Sequence, residues 1–86
     1  MMGAMAATAG TATHDDLLAI LRSLDALNER GKTPHFYRGA TPFLHFHGDG
    51  DSRTADLRRD GAWQRLPAAT PADRAALLAQ VRSLLA

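Results

Sequence analysis

Pro42-Phe43-Leu44-His45-Phe46-His47 is the stretch whose reading decides the fold. Successive side chains of a strand point to opposite faces, so Leu44 and Phe46 share one face while Phe43, His45 and His47 share the other. The first face suits a hydrophobic core. The second is unusual, because the wet side of a half-buried sheet ordinarily carries Thr, Lys or Glu rather than a phenyl ring and two imidazoles.

Working outward, His35 to Arg38 is a short β-prone run, and Gly39-Ala40-Thr41 reads as a turn into this strand. Phe36 on the core face pairs Arg38 with Pro42, Tyr37 with Phe43 and His35 with His45. On the far side, Gly48-Asp49-Gly50-Asp51-Ser52 is a polar loop. Ala55 and Leu57 then alternate with Thr54, Asp56 and Arg58, and Asp60-Gly61 is a strong two-residue hairpin signal. That turn sets Arg58 opposite Trp63, Leu57 opposite Gln64 and Asp56 opposite Arg65.

Helical patterns flank these strands. Thr13 and Asp16 form a capping pattern, and Leu17, Ile20, Leu21, Leu24 and Leu27 follow at helical spacing, which predicts a helix ending near Arg30 ahead of Gly31 and Pro34. Thr70-Pro71-Ala72-Asp73 starts a second helix in the same way. Its apolar stripe is Leu77, Leu78, Val81, Leu84 and Leu85, with Arg74, Gln80 and Arg82 on the wet side. The order is α-β-β-β-β-α. Two amphipathic helices need one sheet face to cover, so the expectation is an α+β two-layer sandwich, with both helices on one face of a four-stranded antiparallel meander.

A chain of 86 residues is one domain and buries only about 60–65% of its unfolded surface. Residues 1–12 carry no charge and read as a disordered tail before a single domain over 13–86. They lack the basic start and apolar run of a signal peptide, and no stretch has the roughly 20 apolar residues that span a bilayer. The chain has no cysteine, which removes disulfides, thiolate nucleophiles and Cys-type zinc sites and points to the cytoplasm. Ten Lys plus Arg against nine Asp plus Glu give a formal charge of +1, too balanced for nucleic-acid binding driven by net charge.

With the helices on the Leu44 side, the other side presents His35, Tyr37, Phe43, His45, His47, Asp56, Arg58, Trp63 and Arg65. Trp, Tyr, Phe and Arg are enriched at interface centres, so the expected function is a non-enzymatic binding domain using this face as a homodimer. Tyr37, Phe43, Arg58, Trp63 and Arg65 are the contacts, and His45, His47 and Asp56 the polar centre. In the plainest alternative, Trp63 and Tyr37 merely fold over the sheet to bury themselves.

Two alternatives use the same face differently. Imidazoles two apart on a strand point the same way, and His35 on the neighbouring strand adds a third nitrogen, so His35, His45 and His47 are candidate ligands for a zinc-like cofactor, with Asp49, Asp51 or Asp56 as a carboxylate. Stacking aromatics and arginines on an open sheet also suit single-stranded nucleic acid, although the charge balance and the lone Lys32 count against it. Catalysis by His45 oriented by Asp56 lacks a nucleophile in a suitable turn.

The run Phe36-Tyr37-Arg38-Gly39, then Pro42 to His47, Ala55-Asp56-Leu57-Arg58 and a closing helix resembles a group of small uncharacterised bacterial domains with a Phe-Leu-His-Phe-His strand. The resemblance spans Phe36 to Leu85. It implies the fold and carries no activity and no functional residue.

Overall fold

A computed structural model of the chain describes residues 11–31 and 34–86. The elements run α1 (His14–Ser23), β1 (Asn28–Arg30), β2 (His35–Arg38), β3 (Thr41–His47), a single 3-10 turn (Gly50–Ser52), β4 (Thr54–Arg59), β5 (Ala62–Pro67) and α2 (Pro71–Leu85). The strands form one antiparallel sheet in the order β1-β2-β3-β4-β5. The protein is therefore α+β, with five strands in its meander.

The two helices among the described residues start on capping boxes. Thr13 and Asp16 bond each other's backbone N–H, and Thr70 and Asp73 do the same, with Pro71 in the first turn. Each box satisfies donors that the first helical turn leaves without intrahelical partners. Leu17, Leu18 and Leu21 of α1 and Leu77, Leu78 and Val81 of α2 pack into one cluster with Phe36, Leu44, Ala55 and Leu57 from a single face of the sheet. That cluster is the core, and among the described residues no helix covers the other sheet face.

Three features depart from the sequence expectation. First, α1 stops at Ser23 rather than near Arg30, because Leu24 is extended (φ −82, ψ 114) and its N–H turns back to the Leu21 carbonyl. Leu27 is still buried, reached through a turn in which its N–H bonds the Leu24 carbonyl. The chain freed by this early stop becomes β1, whose Asn28, Glu29 and Arg30 pair with Tyr37, Phe36 and His35. Arg22 of α1 then clamps Glu29 of β1 through two N–H···O contacts of 2.7 and 3.0 Å. Sheet pairing and this ion pair outweigh the helical spacing of the leucines, an instance of tertiary context overriding local pattern.

Second, the β2–β3 register shifts at Phe36/Tyr37. His35 faces His45 and Phe36 faces Leu44 as expected, but Tyr37 faces Pro42 and Arg38 faces Thr41. The loop is thus the two residues Gly39 and Ala40, and Gly39 takes the positive φ (64°) that the first position of a tight type II′ hairpin demands. The residue left over is Phe43, which has no cross-strand partner on β2. A bulge of this kind re-aims side chains, and Phe43 turns into the core at 4% exposure instead of standing on the open face.

Third, Arg74 lies inside the protein rather than on the wet side of α2. It is 6% exposed, and its guanidinium donates to the carbonyls of Thr11 (2.9 Å), Ala12 (2.6 Å) and Ala69 (3.1 Å). A buried guanidinium needs its hydrogens satisfied, and here backbone carbonyls accept them. The contact holds residues 11 and 12, which the sequence reading assigned to the tail, against α2. Residues 1–10 lie outside the described residues.

The Asp60-Gly61 turn is as the sequence indicates, with φ of 52° and 80° at its two central residues and Arg59 facing Ala62. No helix among the described residues is long and apolar enough to cross a membrane.

Candidate functional site on the open sheet face

The centre of the open face follows from two registers. Pairing β3 with β4 sets His45 opposite Asp56 and His47 opposite Thr54, and pairing β4 with β5 sets Asp56 opposite Arg65 and Arg58 opposite Trp63. Period-two alternation then brings His45, His47, Asp56, Arg58, Trp63 and Arg65 to one side. These six candidates come together as the sequence indicates. Tyr37 joins them at the edge, and Phe43 does not, for the reason given above.

Asp56 is the hub. His45 Nε2 lies 3.1 Å and His47 Nε2 2.9 Å from its Oδ2, while Arg65 donates from Nε to Oδ1 at 2.9 Å and from NH2 to Oδ2 at 3.2 Å. The Arg65 guanidinium foremost, then the hydrogen bond from His47 and after it that from His45, hold the Asp56 carboxyl well below the usual carboxylate range, against burial, which pushes it up. An ionised carboxylate only accepts, so both imidazoles donate to it from Nε2. The side chain of Asp56 is 13% exposed, whereas those of His47 and Arg65 are 46% and 62% exposed. The acceptor is inside and its donors reach water.

Aromatic groups surround this hub. The His45 ring lies 5.3 Å from His35, 4.6 Å from His47 and 4.8 Å from Trp63, centroid to centroid. Arg58 lies 5.3 Å from the Trp63 ring, and Arg30 lies 4.7 Å from the Tyr37 ring. Exposed cation–π pairs of this kind contribute about 0.5–1 kcal/mol each. They also order the guanidinium groups over apolar surface. Trp63 remains 40% exposed, the one exposed large hydrophobic residue among those described.

Arg30 is the member of this face that the sequence reading missed. A three-residue strand is too short to show a period of two, and the preceding leucine spacing favours a helix across it. His35, the proposed third imidazole ligand, lies against His45 with the rings tilted at 44°, while the ligand atoms that lie within 4.8 Å of one another belong to His45, His47 and Asp56. The hydroxyl of Ser52 donates to its own turn at the Asp49 carbonyl, 2.9 Å away. The His–Asp contact is thus not paired with that nucleophile.

Two further features lie away from the hub. A groove of about 420 Å³ at the hairpin tips is lined by Arg38, Thr41, Phe43, Arg58, Asp60 and Leu84. His14 is half-buried against Phe46, the two rings perpendicular with centroids 4.9 Å apart. Burial and then the charge of Arg53 push its imidazole pKa down. Comparison with protein-family models, with curated proteins and with solved structures returned no match to this chain.

Proposed function

We propose that this chain is a non-enzymatic binding domain that works through its uncovered sheet face, and that the partner is a second copy of itself. The observation that carries the reading is Trp63, left 40% exposed beside stacked Arg58 on a face whose centre is already internally hydrogen-bonded. Indole and guanidinium groups are the residues on which interface energy concentrates. A sheet covered on one side only gains by covering the other.

Charge separates this reading from its rival. Arg30, Arg58 and Arg65 outnumber Asp56 on the face, so two copies meet against a like-charge repulsion that salt screens. Self-association through this face therefore strengthens as salt rises. Single-stranded nucleic acid is the second reading, favoured by the Trp63–Arg58 and Tyr37–Arg30 stacks. Its binding falls steeply with salt. Light scattering across protein concentration, at low and high salt, for the wild type and for Trp63→Arg, tests both. A dimer that grows with salt and that the substitution dissociates, with the helical circular dichroism kept, is the expected result. A monomer at every concentration and salt refutes self-association.

A further inference from the structure

We propose that His45, His47 and Asp56 form a three-ligand site for a borderline divalent cation such as zinc. The site lies on the same face but does not depend on self-association, since one chain supplies every ligand.

The backbone builds the ligand set. His45 and His47 are two apart on β3 and point the same way, and the register places Asp56 of β4 directly across from His45. Both Nε2 atoms approach the same oxygen, at 3.1 and 2.9 Å, and the three ligand atoms lie within 4.8 Å of one another. Tetrahedral zinc with bonds of about 2.0–2.2 Å holds its ligand atoms roughly 3.3–3.5 Å apart. The two N–O distances open by a few tenths of an ångström to reach that spacing, and the two nitrogens, within 4.8 Å of each other, draw in toward it by side-chain rotation.

The crowding at Oδ2 is a second pointer. This one oxygen receives N–H groups from His45, His47 and Arg65, more than the lone pairs of a single carboxylate oxygen serve well. One cation bound to Nε2, Nε2 and Oδ2 replaces the two imidazole hydrogens, each neutral ring then carrying its hydrogen on Nδ1. Arg65 keeps its Nε contact to Oδ1 at 2.9 Å, an outer contact that fixes the carboxylate. His47 is 46% exposed, so water reaches a fourth position.

The donor types choose the metal. Two imidazoles and one carboxylate suit zinc and its neighbours in the transition series, whereas calcium and magnesium require oxygen ligands. Of the ligands the sequence offers beside His45 and His47, the geometry brings Asp56 into the set.

The test is titration calorimetry with zinc chloride, alongside thermal melts with and without EDTA, on the wild type, His47→Gln and the double variant His45→Gln/His47→Gln. The expected result is one ion per chain and a rise in Tm that EDTA reverses. His47→Gln should weaken binding by more than the roughly 10–100-fold that loss of an outer contact costs, and the double variant should abolish it. Magnesium and calcium should give neither heat nor stabilisation. Absence of saturable zinc binding to the wild type overturns the site, as does unchanged affinity in the double variant. Solution mass measured in zinc and in EDTA keeps the two proposals apart: a monomer that binds zinc refutes only the dimer, and a dimer that does not bind zinc refutes only the metal site.

Discussion

Replacing Asp56 by Asn tests whether the hub of the open face is an ionised acceptor, because the change keeps the shape and removes the charge. The carboxylate accepts four N–H contacts of 2.9–3.2 Å from His45, His47 and Arg65. An Asn amide offers one oxygen and one NH2, so its NH2 must face a donor. Removing one member of a fully buried ion pair costs about 3–5 kcal/mol. Here Arg65 and His47 regain water when released, being 62% and 46% exposed. The expected cost is therefore nearer about 2 kcal/mol. For a domain of this size that lowers Tm by about 10 °C.

The same substitution has a pH signature whose sign follows from the carboxyl being held below its ordinary range in the fold. The unfolded chain binds the extra proton, so the stabilisation is complete above the unfolded value near about 3.9 and is lost as pH falls below it. Between pH 5 and pH 3 linkage gives at most about 1 kcal/mol of extra loss in the wild type. His14, whose imidazole is held down by burial, also favours unfolding in acid, but equally in both proteins. Thermal melts followed by circular dichroism over this range should show the two stability curves converging in acid. A Tm for Asp56→Asn within about 2 °C of the wild type, with the same pH slope, refutes the charged hub.

Two further substitutions test the fold beneath the face. Phe43→Ala should cost about 3–5 kcal/mol and lower Tm by about 15 °C or more, since the ring is 4% exposed; a change near zero places Phe43 on the open face after all. Gly48→Ala should destabilise more than Gly39→Ala. Both residues have positive φ, which strains any L side chain, but a Cβ on Gly48 meets the Ser52 carbonyl oxygen at 2.8 Å while one on Gly39 meets nothing within 4 Å. Equal losses in denaturant unfolding would contradict the tight Gly48–Ser52 loop.

Much of this architecture is written in local pattern. The two capping boxes, the Asp60-Gly61 turn, and the pairing of Arg58 with Trp63 and Asp56 with Arg65 follow from residue types at short spacing. Turn chemistry and period-two alternation act over a few residues, so a chain read alone reveals them. They suffice to place His45, His47, Asp56, Arg58, Trp63 and Arg65 together on one face.

Tertiary structure alone decided the rest. Asn28–Arg30 forms a strand only because β2 offers it an edge and Arg22 a counter-ion, and neither is visible in a three-residue window. Phe43 enters the core because one residue too many lies between Pro42 and Leu44 for the β2 register. The open side of β3 is thereby reduced to its two histidines near the hub. Arg74 looks like a wet helical residue until carbonyls 62 and 63 positions away in the chain converge on its guanidinium. In each case the deciding partner lies on another element, from five to nine residues away for β1 to 62 and 63 for Arg74. Its contribution exists only once the chain has closed on itself.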